Sequence, residues 1–341
     1  MQAARLADGN LVIKDLPVPE PGPGDALIHI DAAGVCHSDL HVARREWAGV
    51  TPELLGHEAI GTVTALGRGA DAHVAVGDRV VLGLGGGGGG YWCGACVHCL
   101  AGRPRLCRQA KPIVGTFAEY FTVWAKSLVT IPDEIGDEEA SLACAGLTAY
   151  GAVKKLLAHH VVPGRPVAIV GAAGGLGHYA VQLANAFGYR VIGVDVGEER
   201  LEFVHSLGAE LTVSADDARE VVAREVGGVD ASLVFSSRME GFRLGFDLLG
   251  SHGLFVAVGL PATSEGSFSF APFELFRKDP TIIYSAVGNV QDMRELVDLA
   301  VAGKVRTHVS RTGALTDLPT IFDELAAGSY LGRAVVTDLS H

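Results

Sequence analysis

Residues 167–177 read VAIVGAAGGLG, an apolar run that leads into a glycine-rich turn. After the turn, apolar residues recur at the spacing of one helical face, at Ala180, Leu183, Ala184 and Phe187. A glycine-rich turn that joins a strand to a helix lets the backbone approach the pyrophosphate of a dinucleotide. The stretch therefore predicts a strand–turn–helix unit that binds a dinucleotide.

Asp195 ends the strand that follows this turn, 21 residues after Gly174. A carboxylate there accepts hydrogen bonds from both adenosine ribose hydroxyls and repels a 2′-phosphate, which predicts NAD(H) rather than NADP(H). Arg200 keeps the alternative open because a nearby cation softens that preference; its other interpretation is an exposed helix residue. The turn is one residue longer than the G-x-G-x-x-G pattern, and its cofactor-binding candidates are Gly171, Gly174, Gly175, Leu176 and Gly177.

Strand and helix patterns alternate after the turn, with further strands predicted at Arg190–Val194, Ala231–Phe235 and Leu254–Val258. This alternation is typical of an α/β fold with a Rossmann-type, doubly wound parallel sheet. Glu138–Leu157 predicts a long helix broken around Gly146.

The first 140 residues have a different pattern, with short β-type runs between turn residues. Parallel crossovers are not evident there, so we expect an irregular, mostly antiparallel barrel. The tail from Ser285 is too small for a domain of its own and is expected to return to the first one. The predicted division is a first domain at 1–145, a cofactor-binding domain at 146–284 and a return to the first domain at 285–341.

The composition is that of a folded, acidic chain: 341 residues, 48 % hydrophobic, 19 % charged, with a net charge of −12. The length fits two domains, and the negative charge argues against nucleic acid or an anionic membrane as a partner. The sequence has no apolar run of the roughly 18 residues that a membrane helix needs, and residues 1–10 lack a secretory h-region. We expect a soluble, cytoplasmic protein.

Four of the six cysteines lie within 15 residues, in the pattern C-x2-C-x2-C-x7-C. Cytosolic thiols stay reduced, so such clusters hold metal more often than they form disulfides. Four thiolates close a tetrahedral zinc shell, which predicts a structural zinc. The alternatives are unrelated buried thiols and a nucleic-acid-binding zinc module, the second disfavoured by the acidic charge. The predicted ligands are Cys93, Cys96, Cys99 and Cys107.

A second metal site is predicted from residues that lie far apart in the sequence. Cys36 follows a predicted strand, His57 lies in G-H-E, and Cys144 lies near the start of the predicted long helix. Taken singly, each is more often a packed or surface residue than a ligand. Together they form a Cys2His set that leaves one coordination position open, as a catalytic zinc requires.

These segments resemble the zinc-dependent medium-chain alcohol dehydrogenase family over nearly the whole chain. The matching segments, in order, are GVCHSDLH, LLGHEAIG, the four-cysteine loop, GTFAEY, CAGLTAYGA, GAAGGLG and LGRAVV. The resemblance implies a Rossmann domain joined to a mostly β, GroES-like barrel, with NAD(H) and two zinc ions per chain. Relatives of this length are mostly tetramers, so a homotetramer is expected by analogy.

The resemblance also assigns individual residues. Around the catalytic zinc it places Cys36, His57 and Cys144 as ligands, Glu58 as an occasional ligand behind the metal, and Asp39 as the acceptor that orients His57. Around the cofactor it places His37 and Arg333 near the pyrophosphate, and Thr148, Val258 and Gly259 near the nicotinamide.

Hydride transfer between NAD(H) and a primary or secondary alcohol, or the matching aldehyde or ketone, is the implied reaction. An open zinc position lowers the pKa of bound water from 15.7 to about 7, and an alcohol should respond similarly. In the family, residues matching Ser38 and His41 pass the alcohol proton to solvent through the cofactor ribose. The alternatives are a capping hydroxyl for Ser38 and a surface residue for His41.

Gly85–Gly90 form a run of six glycines where many relatives place a bulky aromatic that faces the substrate. The run predicts a wider or more mobile pocket, suited to bulky or secondary alcohols and ketones. The alternative is that Tyr91 or Trp92 fills the gap. The pocket candidates are Trp47, Gly88, Gly89, Tyr91 and Trp92.

Three rival functions remain to be distinguished. A zinc-free reductase of the quinone-reductase type would lack Cys36, His57 and Cys144, which are all present. A polyol dehydrogenase usually has a carboxylate in place of the third ligand. A zinc-stabilised binding module without catalysis is disfavoured by the complete set of open-site ligands.

Overall fold

The computed structural model describes residues 1–7, 10–47, 49–50, 52–82 and 89–340. It forms two compact units: the first combines Met1–Leu147 with the chain from Val287 onward, and the second is Thr148–Ala286. Within the described ranges, no helix is both long enough and apolar enough to cross a lipid bilayer.

The helices and strands follow the chain in three groups. The first group comprises β1 (Gln2–Ala7), β2 (Asn10–Asp15), β3 (Asp25–Val35), α1 (His37–Ala43), β4 (Ala59–Leu66), β5 (Arg79–Val81), α2 (Val97–Leu100), β6 (Tyr120–Trp124), β7 (Val129–Thr130) and α3 (Ala145–Ala158). The second comprises β8 (Pro166–Val170), α4 (Gly177–Ala186), β9 (Arg190–Asp195), α5 (Glu198–Ser206), β10 (Leu211–Ser214), α6 (Ala218–Val226), β11 (Val229–Val234), α7 (Met239–Asp247), β12 (Leu249–Ala257), α8 (Pro272–Lys278) and β13 (Thr281–Tyr284). The third comprises α9 (Val290–Val301), β14 (Val309–Ala314), α10 (Leu318–Ala327) and β15 (Arg333–Asp338).

The first unit is built on a sheet with strand order β14-β15-β3-β4-β5-β7, with β6 also pairing with β3. Its pairings are antiparallel except between β14 and β15. Apolar side chains such as Ile28, Ile30, Val63 and Phe117 fill its core. Because β15 pairs with β3 at Ala334↔Val35, the tail strand lies beside the strand that leads into Cys36.

The second unit contains a parallel sheet with strand order β10-β9-β8-β11-β12-β13. The first strand of the unit, β8, lies at the centre, and the chain winds outward in both directions, which is the dinucleotide-binding order. All five residues of β8 are buried, as expected for a strand covered on both faces. The predicted Rossmann-type sheet is confirmed.

The turn between β8 and α4 depends on two glycines. Gly171 has φ +80°, a left-handed conformation that glycine adopts without strain. A Cβ on Gly177 would overlap the carbonyl oxygen of Gly171, so the helix can approach the strand this closely only with glycine there. The glycines thus bring the N-terminus of α4 up to the end of β8, where a pyrophosphate would lie.

The segment predicted as a broken helix over Glu138–Leu157 is helical on both sides of a break, but its first part is a 3-10 helix. Asp137–Ala143 forms a 3-10 helix, which ends at Cys144, and α3 begins only at Ala145. Gly146 does not break the helix; a Cβ there would lie 2.9 Å from Leu142, so glycine serves close packing. The break falls on Cys144, at φ −128° and ψ −62°.

Candidate metal centre and cofactor site

Four ligand groups from separate parts of the first unit meet at one point. Cys36 is the N-cap of α1, directly after β3; His57 and Glu58 precede β4; Cys144 stands before α3. Their ligand atoms all lie within 4.8 Å of one another. Cys36, His57 and Glu58 are buried.

Asp39 fixes the geometry of this cluster through both of its oxygens. One oxygen accepts from His57 Nδ1 at 3.1 Å and from the Gly56 N–H at 3.0 Å, and the other accepts from the Cys36 N–H at 3.3 Å. Because a carboxylate only accepts, Nδ1 of His57 carries the proton and Nε2 is left for a metal. Burial lowers the pKa of His57, but the Asp39 carboxylate and the Cys144 sulfur outweigh burial, and the pKa is raised well above its usual value.

Glu58 lies behind the cluster in a buried ion pair. Arg333 donates from Nη2 to Glu58 and from Nε to Ser141 Oγ at 3.0 Å. The second oxygen of Glu58 is buried without a hydrogen-bond partner. Burial raises the pKa of Glu58 to about 7, although Arg333 opposes the rise. A Cβ on Gly34 would overlap the Glu58 carboxylate, so glycine there makes room for the acid.

The donor set fits a zinc ion with an exchangeable position. Two sulfurs and one imidazole nitrogen match the ligands of a catalytic zinc. The unpartnered oxygen of Glu58 is the orphaned buried atom expected if this carboxylate also reaches the metal at times.

The four-cysteine loop forms a second, closed cluster. The sulfurs of Cys93 and Cys99 are 3.9 Å apart and those of Cys96 and Cys99 are 3.6 Å apart. Four thiolates around zinc at 2.3 Å would be separated by about 3.8 Å, so the fit is close. Backbone N–H groups of Ala95 and Cys96 lower the pKa of Cys93 to about 6, which favours the thiolate that binds metal. All six cysteines lie in the described ranges as free thiols.

The two predicted relay residues, Ser38 and His41, lie on α1. His41 Nδ1 is hydrogen-bonded to the Glu46 carboxylate, and its ring centroid lies 4.8 Å from that of Trp47 and 5.1 Å from that of His37. The other ring nitrogen of His41, Nε2, is buried without a partner. Burial first, and then the neighbouring His41, lower the pKa of His37.

The predicted pocket residues fall into two groups. Trp47 packs beside His41, whereas Tyr91 and Trp92 pack on Trp124, with ring centroids 4.9 and 4.8 Å away. Gly89 is buried. Gly88, together with residues 85–87 of the glycine run, lies outside the described residues, so the predicted widening of the pocket stays a prediction.

The cofactor candidates of the second unit lie at one edge of the parallel sheet, where β8, β9 and β12 end. Asp195 accepts from the Ala173 N–H at 2.8 Å and from the Val196 N–H at 2.9 Å, and Arg200 Nη1 lies 3.9 Å from it. Ligands of open α/β sheets bind at this edge. The candidates placed there are the turn from Gly171 to Gly177, Asp195, Val258 and Gly259. Thr148, on α3, is buried, while His37 and Arg333 belong to the first unit.

Comparison with known proteins connects these sites to a family. Residues 22–133 match the alcohol dehydrogenase GroES-like domain, and residues 175–302 match the zinc-binding dehydrogenase domain. The chain is 37 % identical over 340 residues to an alcohol dehydrogenase of Geobacillus stearothermophilus, with 96 % of each protein covered. The chain belongs to the zinc-dependent medium-chain alcohol dehydrogenase family.

Solved structures agree with this membership. An alcohol dehydrogenase of Aeropyrum pernix superposes with a TM-score of 0.88 at 34 % identity, covering 98 % of this chain and 99 % of that one. An acetophenone reductase of Geotrichum candidum in complex with NAD superposes with a TM-score of 0.85 at 28 % identity, covering 99 % and 97 %. The predicted NAD-dependent, zinc-containing alcohol dehydrogenase is confirmed, as is its fold class, and the two clusters fit two zinc ions per chain.

Three contacts of this family member were not found by sequence reasoning. Ser141 and Glu58 hold Arg333, and Glu46 holds His41. A signal for Glu46 exists in retrospect: an acid five positions beyond His41, just past the end of α1. No local pattern marks Ser141, because it meets Arg333 across 192 residues of chain.

Proposed function

We propose that this enzyme interconverts a primary or secondary alcohol and its aldehyde or ketone with NAD(H), using the Cys36, His57 and Cys144 site. The observation that carries the proposal is the buried convergence of these three groups, with His57 held by Asp39. When bound, zinc supplies Lewis acidity at the substrate oxygen and the nicotinamide accepts or donates the hydride.

The hydroxyl proton of the alcohol is passed on by Ser38 and His41, which lie one helical turn apart on α1. Glu46 accepts from Nδ1 of His41, so Nε2 is the acceptor. A buried acceptor without a partner costs about 1–3 kcal/mol, which supports a site prepared to receive a donor. Ser38 Oγ accepts the proton of the substrate hydroxyl while its own hydroxyl proton moves on along the relay, and the proton at the end of the relay goes to His41 Nε2.

The cofactor is proposed to be NAD(H), with Asp195 holding the adenosine ribose. Its support is the position of Asp195 at the end of β9, beside the glycine-rich turn. The NADP(H) alternative rests on Arg200, whose guanidinium lies 3.9 Å from Asp195. In this arrangement the Arg200 guanidinium faces the Asp195 carboxylate instead of being available to a 2′-phosphate, which favours NAD(H).

Bulky or secondary substrates are proposed in addition, on the strength of the glycine run and of a solved relative that is an acetophenone reductase. Rates on ethanol and on an aryl ketone separate this class from small primary alcohols. A strong preference for ethanol would contradict it.

The relay is tested with Ser38→Ala and His41→Ala. Each variant should lose much of the turnover while it keeps two zinc ions per chain, because neither residue belongs to the proposed ligand set. Ser251→Ala, at an exposed strand position, is the control. Full turnover in both relay variants would remove the relay from the proposal.

A homo-oligomer is proposed for the assembled protein. Phe273 and Phe276 of α8 stack on each other and are 69 % and 81 % exposed. Ile282 on β13 is 41 % exposed. Within the described residues β13 pairs only with β12, so its other edge offers backbone groups to a second copy. Light scattering of the purified protein tests this. The cytoplasmic location stays a prediction based on cysteines that must remain reduced.

A further inference from the structure

We propose that Glu46 is a positioning residue of the reaction: it fixes His41 as the base of the relay and stabilises the imidazolium that forms. The inference rests on the relay proposed above. Glu46 does not touch the reacting atoms; it acts through the Nδ1 atom of His41, to which its carboxylate is hydrogen-bonded.

The setting of His41 makes this contact decisive. The His41 side chain is 7 % exposed, and the rings of His37 and Trp47 lie close to it. With so little water available, the tautomer is set by whatever group meets Nδ1. An ionised carboxylate only accepts, so Nδ1 keeps its hydrogen and Nε2 presents the lone pair.

Local structure holds Glu46 in place. The chain leaves α1 through Arg44 and Arg45, and the backbone N–H of Glu46 donates to the carbonyl of His41 at 2.8 Å. This backbone hydrogen bond places the Glu46 carboxylate beside the His41 ring.

Other charges near the pair have distinct positions. Arg44 pairs with Asp323 at 3.8 Å; Asp323 lies on α10, the helix that packs against α1. His37 is the other titratable ring beside His41, and burial lowers its pKa. Glu46 is thus the carboxylate in hydrogen-bonding contact with His41 among the described residues.

The proton step balances as follows. An O–H bond of the relay donor breaks and an N–H bond forms at His41 Nε2, giving an imidazolium that keeps its Nδ1 hydrogen. The positive charge is paired with the Glu46 carboxylate, as an aspartate pairs with the histidine of a serine protease triad. In the carbonyl-reducing direction the same Nε2 proton is returned.

A double-mutant cycle tests the proposal. The single-turnover rate of NADH formation is measured for the wild type, Glu46→Gln, Glu46→Asp, His41→Ala and the pair Glu46→Gln with His41→Ala. Glutamine accepts a hydrogen bond from Nδ1 but carries no charge, so we expect a loss of about tenfold or more. Aspartate should retain most of the rate, and glutamine should cost nothing further once His41 is absent.

Two binding readouts exclude a general structural effect. Zinc content and NADH affinity, followed by fluorescence, should be unchanged in Glu46→Gln. Glu53→Gln, an exposed acid that pairs with Arg5, is the matched control.

The possible failures are distinguishable. A wild-type rate in Glu46→Gln, or a loss that persists in the His41→Ala background, would overturn the role of Glu46 while the relay stands. A wild-type rate in His41→Ala would instead overturn the relay itself, and the role of Glu46 with it.

Discussion

Asp39 contacts two of the proposed zinc ligands, Cys36 and His57, through its carboxylate. Its carboxylate accepts hydrogen bonds from the backbone N–H groups of Cys36 and Gly56 and from Nδ1 of His57. A single side chain therefore sets the positions of two ligands, Cys36 and His57. Hydrogen-bond partners of this kind usually change metal affinity or activity by 10–100-fold when they are replaced.

Asp39→Asn should lower both kcat/KM and zinc affinity at this site by about 10–100-fold. The amide keeps the shape but removes the charge that raises the pKa and the basicity of His57. Competition with a chelator measures the zinc affinity, and Asp323→Asn, an exposed acid on α10, is the control. Unchanged zinc affinity would show that His57 does not need the charge.

Residue types, motifs and the family resemblance pointed to the proposed ligands and to Asp39 as the partner of His57, but not to the partners of His41 and Arg333. Cys36, His57 and Cys144 stand in segments with recognisable patterns, and the structure brings them together. The contact of His41 with Glu46 depends on the turn after α1, and the contact of Arg333 with Ser141 depends on tertiary packing; no helical or strand period predicts either of them.

At the scale of elements, the four-cysteine loop is organised by metal chemistry more than by regular structure. The only helix described within residues 93–107 is the short α2, apart from a 3-10 turn, and Val97 and Leu100 are exposed. Backbone N–H groups point to the sulfurs of Cys93 and Cys107 at 3.4 Å. A loop with so little buried apolar surface needs its zinc to remain folded.

Cys99→Ser should therefore reduce the zinc content from two ions per chain to one and lower the Tm. A loss of only about 1 kcal/mol would already lower the Tm by about 2–4 °C in a domain of 150–250 residues. Elemental analysis and calorimetry measure both effects. Leu100→Ser changes a 76 % exposed residue of the same loop and should keep both zinc ions. Two zinc ions in Cys99→Ser would contradict the closed shell.

The proposed determinant of cofactor preference is Asp195, at the end of β9. Asp195→Ser should raise the ratio of NADP to NAD efficiency by at least about tenfold, which corresponds to ~1.4 kcal/mol, because the charge that repels a 2′-phosphate is removed and Arg200 is released. Steady-state kinetics with both cofactors measure the ratio. Glu199→Gln, an exposed residue of α5, is the control. An unchanged ratio would remove Asp195 from cofactor selection.

For the whole molecule, alternation of strand and helix patterns was enough to predict the class of fold. The parallel sheet is specified by runs such as Val167–Val170 and by the glycine turn, which are local signals. The 3-10 segment before Cys144 was not predictable in this way, because its residues have helical spacing and only the packing around Cys144 decides where α3 begins.

Two clusters in this chain fit zinc, and their proposed tasks differ. The four-cysteine cluster is proposed to be closed and to support the fold, whereas the Cys36, His57 and Cys144 cluster is proposed to keep a position for a substrate oxygen. Removal of the metal from the Cys36, His57 and Cys144 site should abolish the reaction and leave the four-cysteine site occupied.

The most direct measurement is zinc content followed together with alcohol-dependent NADH formation, before and after dialysis against a chelator. We predict two zinc ions per chain and NADH formation at the start, one ion and no reaction after dialysis, and recovery of both when zinc is added back. Undiminished alcohol oxidation after the loss of that ion, or no alcohol- or carbonyl-dependent turnover of NAD(H) by the two-zinc protein, would contradict the account.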